Sequence, residues 1–386
     1  MLDPASPQGS GRTRVRLVVL FGGQSAEHEV SCISALHVLQ AADTNRYRVV
    51  PIGITREGRW VESSDAVAAL AKGAGGATAL PSPDDSDGAE LDLSASIGAI
   101  LPARADGATG ADEQVVVLPL LHGPMGEDGT VQGLLELAGV PYIGAGVLAS
   151  ALSMDKSATK DMLARYGLPQ PRWLAARQHE LDDPTEFTRR VVSELGLPAF
   201  VKPANLGSSV GVTKAHDRAE LLAAIEEALR YDDRLLVEEA VVGREIEVGV
   251  LGNSAPRASV PGEIVPGNEF YDFDDKYLDG QAELRIPAPL SAELTDEVRT
   301  LAITAYEALR VDGMARVDFF LETDVDGKPG RGFLVNEINT IPGFTPISMY
   351  PKLWEASGVP YAELIDELVR LALERHERRS GFETKR

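Results

Sequence analysis

The sequence predicts a chain of α/β and α+β domains, opening with a parallel α/β unit. Three observations carry this. Apolar strands alternate with helical segments over the first 150 residues. The pattern changes near Ser150 to paired strands around glycine-rich turns. Two late strands then carry oxygen-bearing side chains at alternate positions. A chain of 386 residues is long enough for two or three separate cores.

The elements follow in order. The stretch 1–14 has no hydrophobic signal region and reads as a disordered tail. VRLVVLFGG is a buried strand ending in a glycine pair, and EVSCISALHVLQAA follows as a helix with Val30, Ile33 and Leu36 at helical spacing. RVVPIGIT is a second strand. The stretch 63–114, rich in Ala, Gly, Asp and Ser, is a variable insertion of loops. VVVLPLL is another strand, and HGPMGEDGTVQGLLELAGVPYIG reads as a loop, a helix and a return strand. This unit spans 15–150, with its ligand side at the strands' carboxyl ends, where FGGQSAE and LHGPMGEDG leave.

A small α+β module is expected over 151–240. SALSMDKSATKDMLARYGLP is a helix with Lys156 near its start, and AFVKPANLGSSVGVTKA is a strand, glycine-rich turn and strand. DRAELLAAIEEALRYDD is a helix, and RLLVEEAVVGREIEVGVLG is two strands around Val242–Gly243. The region 241–386 holds the strands MARVDFFLE and LVNEINTIPGF and a C-terminal amphipathic helix.

Charge and composition narrow the function. A net charge of −22 argues against nucleic acid or an anionic membrane surface as partner, so a bound nucleotide needs a local cluster of cations. No apolar run approaches a membrane span, and the expectation is a cytoplasmic protein. The single cysteine, Cys32, excludes an intramolecular disulfide and reads as core packing.

The chemistry concentrates in a few stretches. Strand alternation puts Glu337 and Asn339 on one face and Ile338 on the other, and puts Arg316 with Asp318. Two carboxylates and an amide suit magnesium beside phosphate oxygens. A solvated edge strand and a structural ion pair are the plain alternatives. In KPANLGSSVGV, Lys202 precedes a loop containing Gly207, Ser208, Ser209 and Gly211 that suits phosphate, or else is a plain hairpin turn. FGGQSAE does not match the dinucleotide fingerprint. Lys156, Lys202 and Lys276 supply candidate cations. Glu238 and Glu245 flank a turn, and on spacing alone they read as surface charge.

Taken together, GGQSAEHEVS, HGPMGEDGTVQG, MDK, KPANLGSSVG, VEEAVVGREIEVGVLG, FYDFDDKY, ARVDFF and NEINTIPGFTPISMYPKLW resemble, in that order, the D-alanine–D-alanine ligases of the ATP-grasp superfamily. The resemblance runs from about Val15 to Leu371 and implies a three-domain ATP-grasp architecture. It implies ATP contacts at Lys156, Lys202, Ser208, Ser209, Glu238, the Val241 backbone, Glu245, Lys276, Phe320 and Glu337. Two magnesium ions, with manganese as a substitute, would be held by Asp318, Glu337 and Asn339. Glu27 would hold the first substrate's ammonium, with Ser208 and Tyr277 as hydrogen-bonding partners and His122 nearby. Arg316 and the Gly343 N–H would stabilise a tetrahedral intermediate, and Ser348 and Met349 would hold the second substrate's carboxylate.

The implied reaction activates one D-alanine as an acyl phosphate for attack by another, making a peptidoglycan precursor in a homodimer. The Lys276–Tyr277 pair points away from D-lactate as second substrate, and Met349 away from D-serine. Ligases for those two substrates, and a nucleotide sensor without chemistry, are the alternatives. His28 and Glu239 stand where many or some relatives carry other residues.

Overall fold

The computed structural model describes residues 14–62, 90–91, 114–265, 283–324 and 329–383. The expected tail, nearly all of the 63–114 insertion, and both Lys276 and Tyr277 lie outside the described residues.

The first sheet forms around β1 (Val15–Gly22), which is followed by α1 (His28–Ala41), β2 (Tyr47–Ile54), β3 (Trp60–Glu62), β4 (Glu90–Leu91) and β5 (Val115–Pro119). The strand order is β4-β3-β2-β1-β5, with β1 parallel to both β2 and β5. A parallel central strand is buried on both faces, which explains the unbroken apolar run. Leu17, Val19 and Phe21 face one core, and Val18 and Leu20 face another. Cys32 lies in the first of these cores, as its apolar setting suggested. Gly22 closes β1 with φ 87°, and a Cβ there would meet the Ile54 carbonyl oxygen at 2.3 Å. Only glycine fits. Ser31 then ties the strand ends together: its Oγ accepts from Gly22 N–H at 2.8 Å and donates to the Leu120 carbonyl at 2.5 Å.

After β5 comes α2 (Thr130–Leu137). The expected return strand shrinks to a single parallel bridge between Val117 and Tyr142. The expected long helix around Lys156 is two helices, α3 (Val147–Met154) and α4 (Lys156–Arg165). Asp155 separates them and caps α4 by accepting from Ala158 N–H at 2.9 Å. Ala149 of α3 and Leu163 of α4 pack into the core of the third sheet.

The second sheet has the order β6-β9-β7-β8, from β6 (Trp173–Arg177), β7 (Ala199–Pro203), β8 (Thr213–Ala215) and β9 (Arg234–Glu239). Helices α5 (Pro184–Glu194) and α6 (Arg218–Ala228) contribute to its core through Val191, Leu221 and Ile225. The chain then changes sheet at Val242–Gly243. The third sheet runs β13-β12-β10-β14-β15, with β11 paired to β10. Its strands are β10 (Arg244–Gly252), β11 (Arg257–Ala258), β12 (Gly262–Val265), β13 (Glu283–Arg285), β14 (Gly313–Glu322) and β15 (Gly332–Asn339). Helix α7 (Ala292–Ala308) covers its apolar face, where Ile246, Val248, Val317 and Ile338 pack with Val298, Ala302 and Tyr306. The chain ends in α8 (Met349–Ala356) and α9 (Tyr361–Ser380). Leu364, Leu368 and Leu371 of α9 return to the first sheet's core, so the C-terminal helix ties the two ends of the protein together.

Candidate active site

The uncovered face of the third sheet carries the polar set. Register places Glu247 of β10 opposite Asp318 of β14, and Asp318 opposite Glu337 of β15. One pair further along, Arg316 stands between Gly249 and Asn339, and Phe320 stands opposite Glu245. Strand alternation therefore puts Glu245, Glu247, Arg316, Asp318, Phe320, Glu337 and Asn339 on one face.

A bulge makes this possible. Asp318 pairs with Glu337, but Phe319 pairs with Val335, leaving Asn336 as the extra residue. Phe333 and Val335 thus face the apolar core together with Ile338, while Glu337 and Asn339 face the site.

Arg316 donates to Asp318 through Nε and Nη2, both at 2.7 Å, and its Nε also lies 2.9 Å from Glu247 Oε2. Asn339 Nδ2 donates to Asp318 Oδ2 at 2.9 Å. Four carboxylates on this face against one guanidinium leave a negative excess that suits cations. Asp318, Glu337 and Asn339 fit magnesium in donor type, all oxygen and on neighbouring positions.

Facing them are lysines from the neighbouring elements. Lys156 and Lys160 lie four residues apart on α4 and share a helix face. Lys202 of β7 is 2.5 Å from Glu238 Oε2, and Lys160 pairs with the other oxygen of the same carboxylate. Burial alone would raise Glu238, but Lys160 and Lys202 override it and hold it down to about 2. Burial lowers the Lys156 ammonium against the pull of Glu337. Lys202 is also desolvated, yet Glu238, Glu337 and Glu245 keep it above its ordinary value. Lysines on one side and carboxylates on the other are a charge arrangement that would suit a metal-bound polyphosphate.

A second polar cluster lies at the strand ends of the first sheet. Glu27 sits at the N-terminus of α1, and an added Cβ at Gly207 would come within 3.8 Å of its Oε2. The glycine-rich loop therefore reaches Glu27. Ser208 and Ser209 hold left-handed backbones, φ 52° and 58°, a cost of about 1–2 kcal/mol each that loops at working sites often carry. The Ser208 Oγ is buried without a hydrogen-bond partner among the described residues.

Glu27, His122 and Glu127 bring ligand-type atoms within 4.8 Å of one another. The Glu127 carboxylate already accepts from Gly123 N–H at 2.8 Å and Ile341 N–H at 3.2 Å. Each Glu127 oxygen keeps a second lone pair, so the trio offers acceptor atoms to a small cationic group. Burial pushes Glu127 up to about 7, with His122 opposing and Glu27 adding to the rise.

Ile341 begins the turn that carries Gly343. A Cβ at Gly343 would lie 3.2 Å from the Ser348 Oγ, so that hydroxyl faces the turn. Ser348 is the residue before α8, where helix N–H groups favour a carboxylate. The Met349 side chain is buried with Ile264 and Leu353, so its contribution to a ligand would come from the backbone.

Phe320 and Val241 are half-buried. Glu239 joins Arg172 at 2.6 Å to Arg331 at 2.5 Å, a local link between the second and third sheets. His28 is buried, with Nδ1 2.7 Å from the Gly23 carbonyl.

Two family models cover nearly all of this geometry: D-ala D-ala ligase N-terminus over residues 16–145 and D-ala D-ala ligase C-terminus over residues 162–370. The chain belongs to the D-alanine–D-alanine ligase family. It is 46% identical over 373 residues to a D-alanine–D-alanine ligase of Geobacillus kaustophilus, covering 94% of this chain and 96% of that one. Identity to the ligase of a Thermoanaerobacter species is 49% over 362 residues, covering 94% and 97%. The fold matches the ligase structure from Coxiella burnetii with a TM-score of 0.76 and 37% identity, covering 96% and 97% of the two chains. It also matches the VanG D-Ala:D-Ser ligase of Enterococcus faecalis with a TM-score of 0.77 and 32% identity, covering 93% and 100%. These are ATP-grasp folds, and the family is ATP-dependent.

Three residues of the site escaped the sequence reading. Lys160 is signalled by its i+4 spacing from Lys156, and Glu247 by its i+2 spacing from Glu245 on a strand. Glu127 lies inside HGPMGEDG, where nothing local announces that its carboxylate folds back onto Gly123.

Proposed function

We propose that this ligase joins two D-alanine molecules through an acyl phosphate, using ATP and releasing ADP and phosphate, as a step toward peptidoglycan. The observation that supports it best is the apposition of Lys156 and Lys202 with Asp318, Glu337 and Asn339, beside Glu27.

In this reading the first D-alanine places its ammonium at Glu27, near His122. Its carboxylate oxygen attacks the γ-phosphorus, the bond to the bridging oxygen breaks, and ADP leaves. Two magnesium ions, or manganese, held by Asp318, Glu337 and Asn339 would offset phosphate charge. Lys156, Lys202, Lys276 and the Ser208–Ser209 loop neutralise and enclose the triphosphate, Glu245 takes the ribose, and Glu238, Val241 and Phe320 lie toward the adenine. The second D-alanine, its carboxylate at Ser348 and the Met349 N–H, gives an ammonium proton to solvent as it binds and attacks the acyl carbon through its free amine. The oxyanion that develops is met by Arg316 and the Gly343 N–H. Phosphate then leaves. Enclosure matters because an acyl phosphate exposed to water hydrolyses. Tyr277 would complete the hydrogen bonds around the first substrate. We also assign a cytoplasmic homodimer.

The test is phosphate release from ATP and magnesium with D-alanine, L-alanine, D-serine and D-lactate, singly and in pairs, with products weighed by mass spectrometry. The dipeptide from D-alanine alone is expected. Turnover only with D-serine or D-lactate added would reassign the second substrate.

A further inference from the structure

Arg316 is shared between two carboxylates with different obligations. Asp318 takes its fork at 2.7 Å but also accepts from Asn339, and it belongs to the proposed metal set. A carboxylate committed to a dication has less charge left for a guanidinium. Glu247, on the neighbouring strand, lies 2.9 Å from Arg316 Nε and is only 5% exposed. It faces Gly262 on its other side, and a Cβ at Gly262 would collide with Met349 Sδ at 2.7 Å. Glu247 thus stands between the metal ligands and the start of α8, where the second substrate is proposed to bind.

We propose that Glu247 is a positioning residue that holds the Arg316 guanidinium toward the reacting acyl group while Asp318 is committed to metal. The inference rests on the proposed role of Arg316. A buried carboxylate 2.9 Å from a buried guanidinium is expected to fix its direction, because their attraction is little screened away from water. Glu247 touches no substrate in this scheme and acts through Arg316.

A double-mutant cycle tests it. Arg316→Ala should lower kcat about 100-fold or more. Glu247→Gln, which keeps the shape and loses the charge, should lower kcat about 10-fold. It should leave the KM for ATP within about twofold, because it spares the lysine slot. In the Arg316→Ala background, Glu247→Gln should change kcat by less than about twofold. A phosphinate mimic of the tetrahedral intermediate should bind Glu247→Gln more weakly in proportion to kcat. Wild-type kcat in Glu247→Gln, or effects that multiply in the double variant, would overturn the proposal while leaving the ligase reading intact. Wild-type kcat in Arg316→Ala would instead overturn the reading of Arg316 and this inference with it. If Glu247→Gln does not fold, Glu247→Asp keeps the charge but withdraws it by one methylene. It should show a smaller kcat loss with the same non-additivity, and full activity there would also count against the proposal.

Discussion

Glu127→Gln should change how the first substrate's affinity depends on pH. Burial pushes Glu127 up to about 7, so its charge is half developed near neutrality. Its carboxylate lies within 4.8 Å of a Glu27 oxygen. Adding one hydrogen bond of about 2.8 Å puts a substrate ammonium at Glu27 no more than about 7.6 Å from the Glu127 charge. Coulomb's law then gives about 0.5 kcal/mol at the dielectric constant of water and about 2.2 kcal/mol at an effective value of 20. That corresponds to about 3-fold to 40-fold in affinity, centred near tenfold. The charge is present above about pH 7, so the wild-type KM for the first D-alanine should fall as pH rises through that value. Gln carries no charge at any pH. Its KM should match wild type at about pH 5.5 and exceed it by about tenfold at about pH 8.5. His122 sits in the same cluster, so the informative quantity is the ratio of the two proteins at each pH, measured by phosphate release. A constant ratio from acid to alkaline pH would refute the reasoning. Stability runs the opposite way, falling as pH rises. The folded state holds a proton between about pH 4.5 and 7 that the unfolded chain has lost, so wild type should lose up to about 3 kcal/mol across that window. The Gln variant should not.

Three further outcomes are expected. Glu238→Gln leaves Lys160 and Lys202 buried without their shared carboxylate, and should cost about 3 kcal/mol at neutral pH in urea unfolding. Glu238 is held down to about 2, so this difference should persist above about pH 4.5 and vanish as pH falls toward 2; an unchanged difference in acid would count against the pairing. Gly262→Ala should push Met349 and α8 off the sheet and raise the KM for the second D-alanine by several-fold more than that for ATP, with equal shifts in both speaking against the placement. Arg375→Met removes the α9 guanidinium that stacks 4.2 Å from the Tyr142 ring and donates to the Tyr142 carbonyl at 2.8 Å. It should lower stability by about 2 kcal/mol or more, read as a lower urea midpoint.

What was legible in the sequence depended on whether the signal was local. Alternation within β14 and β15 was enough to place Arg316 with Asp318 and Glu337 with Asn339, because a strand's side chains change face at every residue. Lys202 before its glycine-rich loop, and the helices on either side, were equally local. The break at Asp155 was missed because the apolar spacing continues through it, and only the cap that Asp155 makes with Ala158 N–H marks a second helix. Two strands around Val242–Gly243 were legible, but which strands they pair with was not, because those partners lie up to about 80 residues away.

The bulge at Asn336 shows where the local rule stops. Read with a period of two, Val335 should share a face with Glu337 and Asn339, and an aliphatic side chain would stand among the proposed metal donors. The extra residue reverses the alternation, so Phe333 and Val335 join Ile338 in the core while Leu334 faces the site beside Phe320. A strand of continuous period cannot satisfy both the core, which needs Val335, and the site, which needs Glu337 two residues later. The insertion satisfies both and leaves the Asn336 side-chain oxygen buried without a hydrogen-bond partner among the described residues. A buried unpaired amide costs on the order of 1–3 kcal/mol. The register of β14 against β15 thus trades local stability for a shared direction of Glu337 and Asn339, the proposed metal ligands, and that exchange is visible only once the two strands are paired.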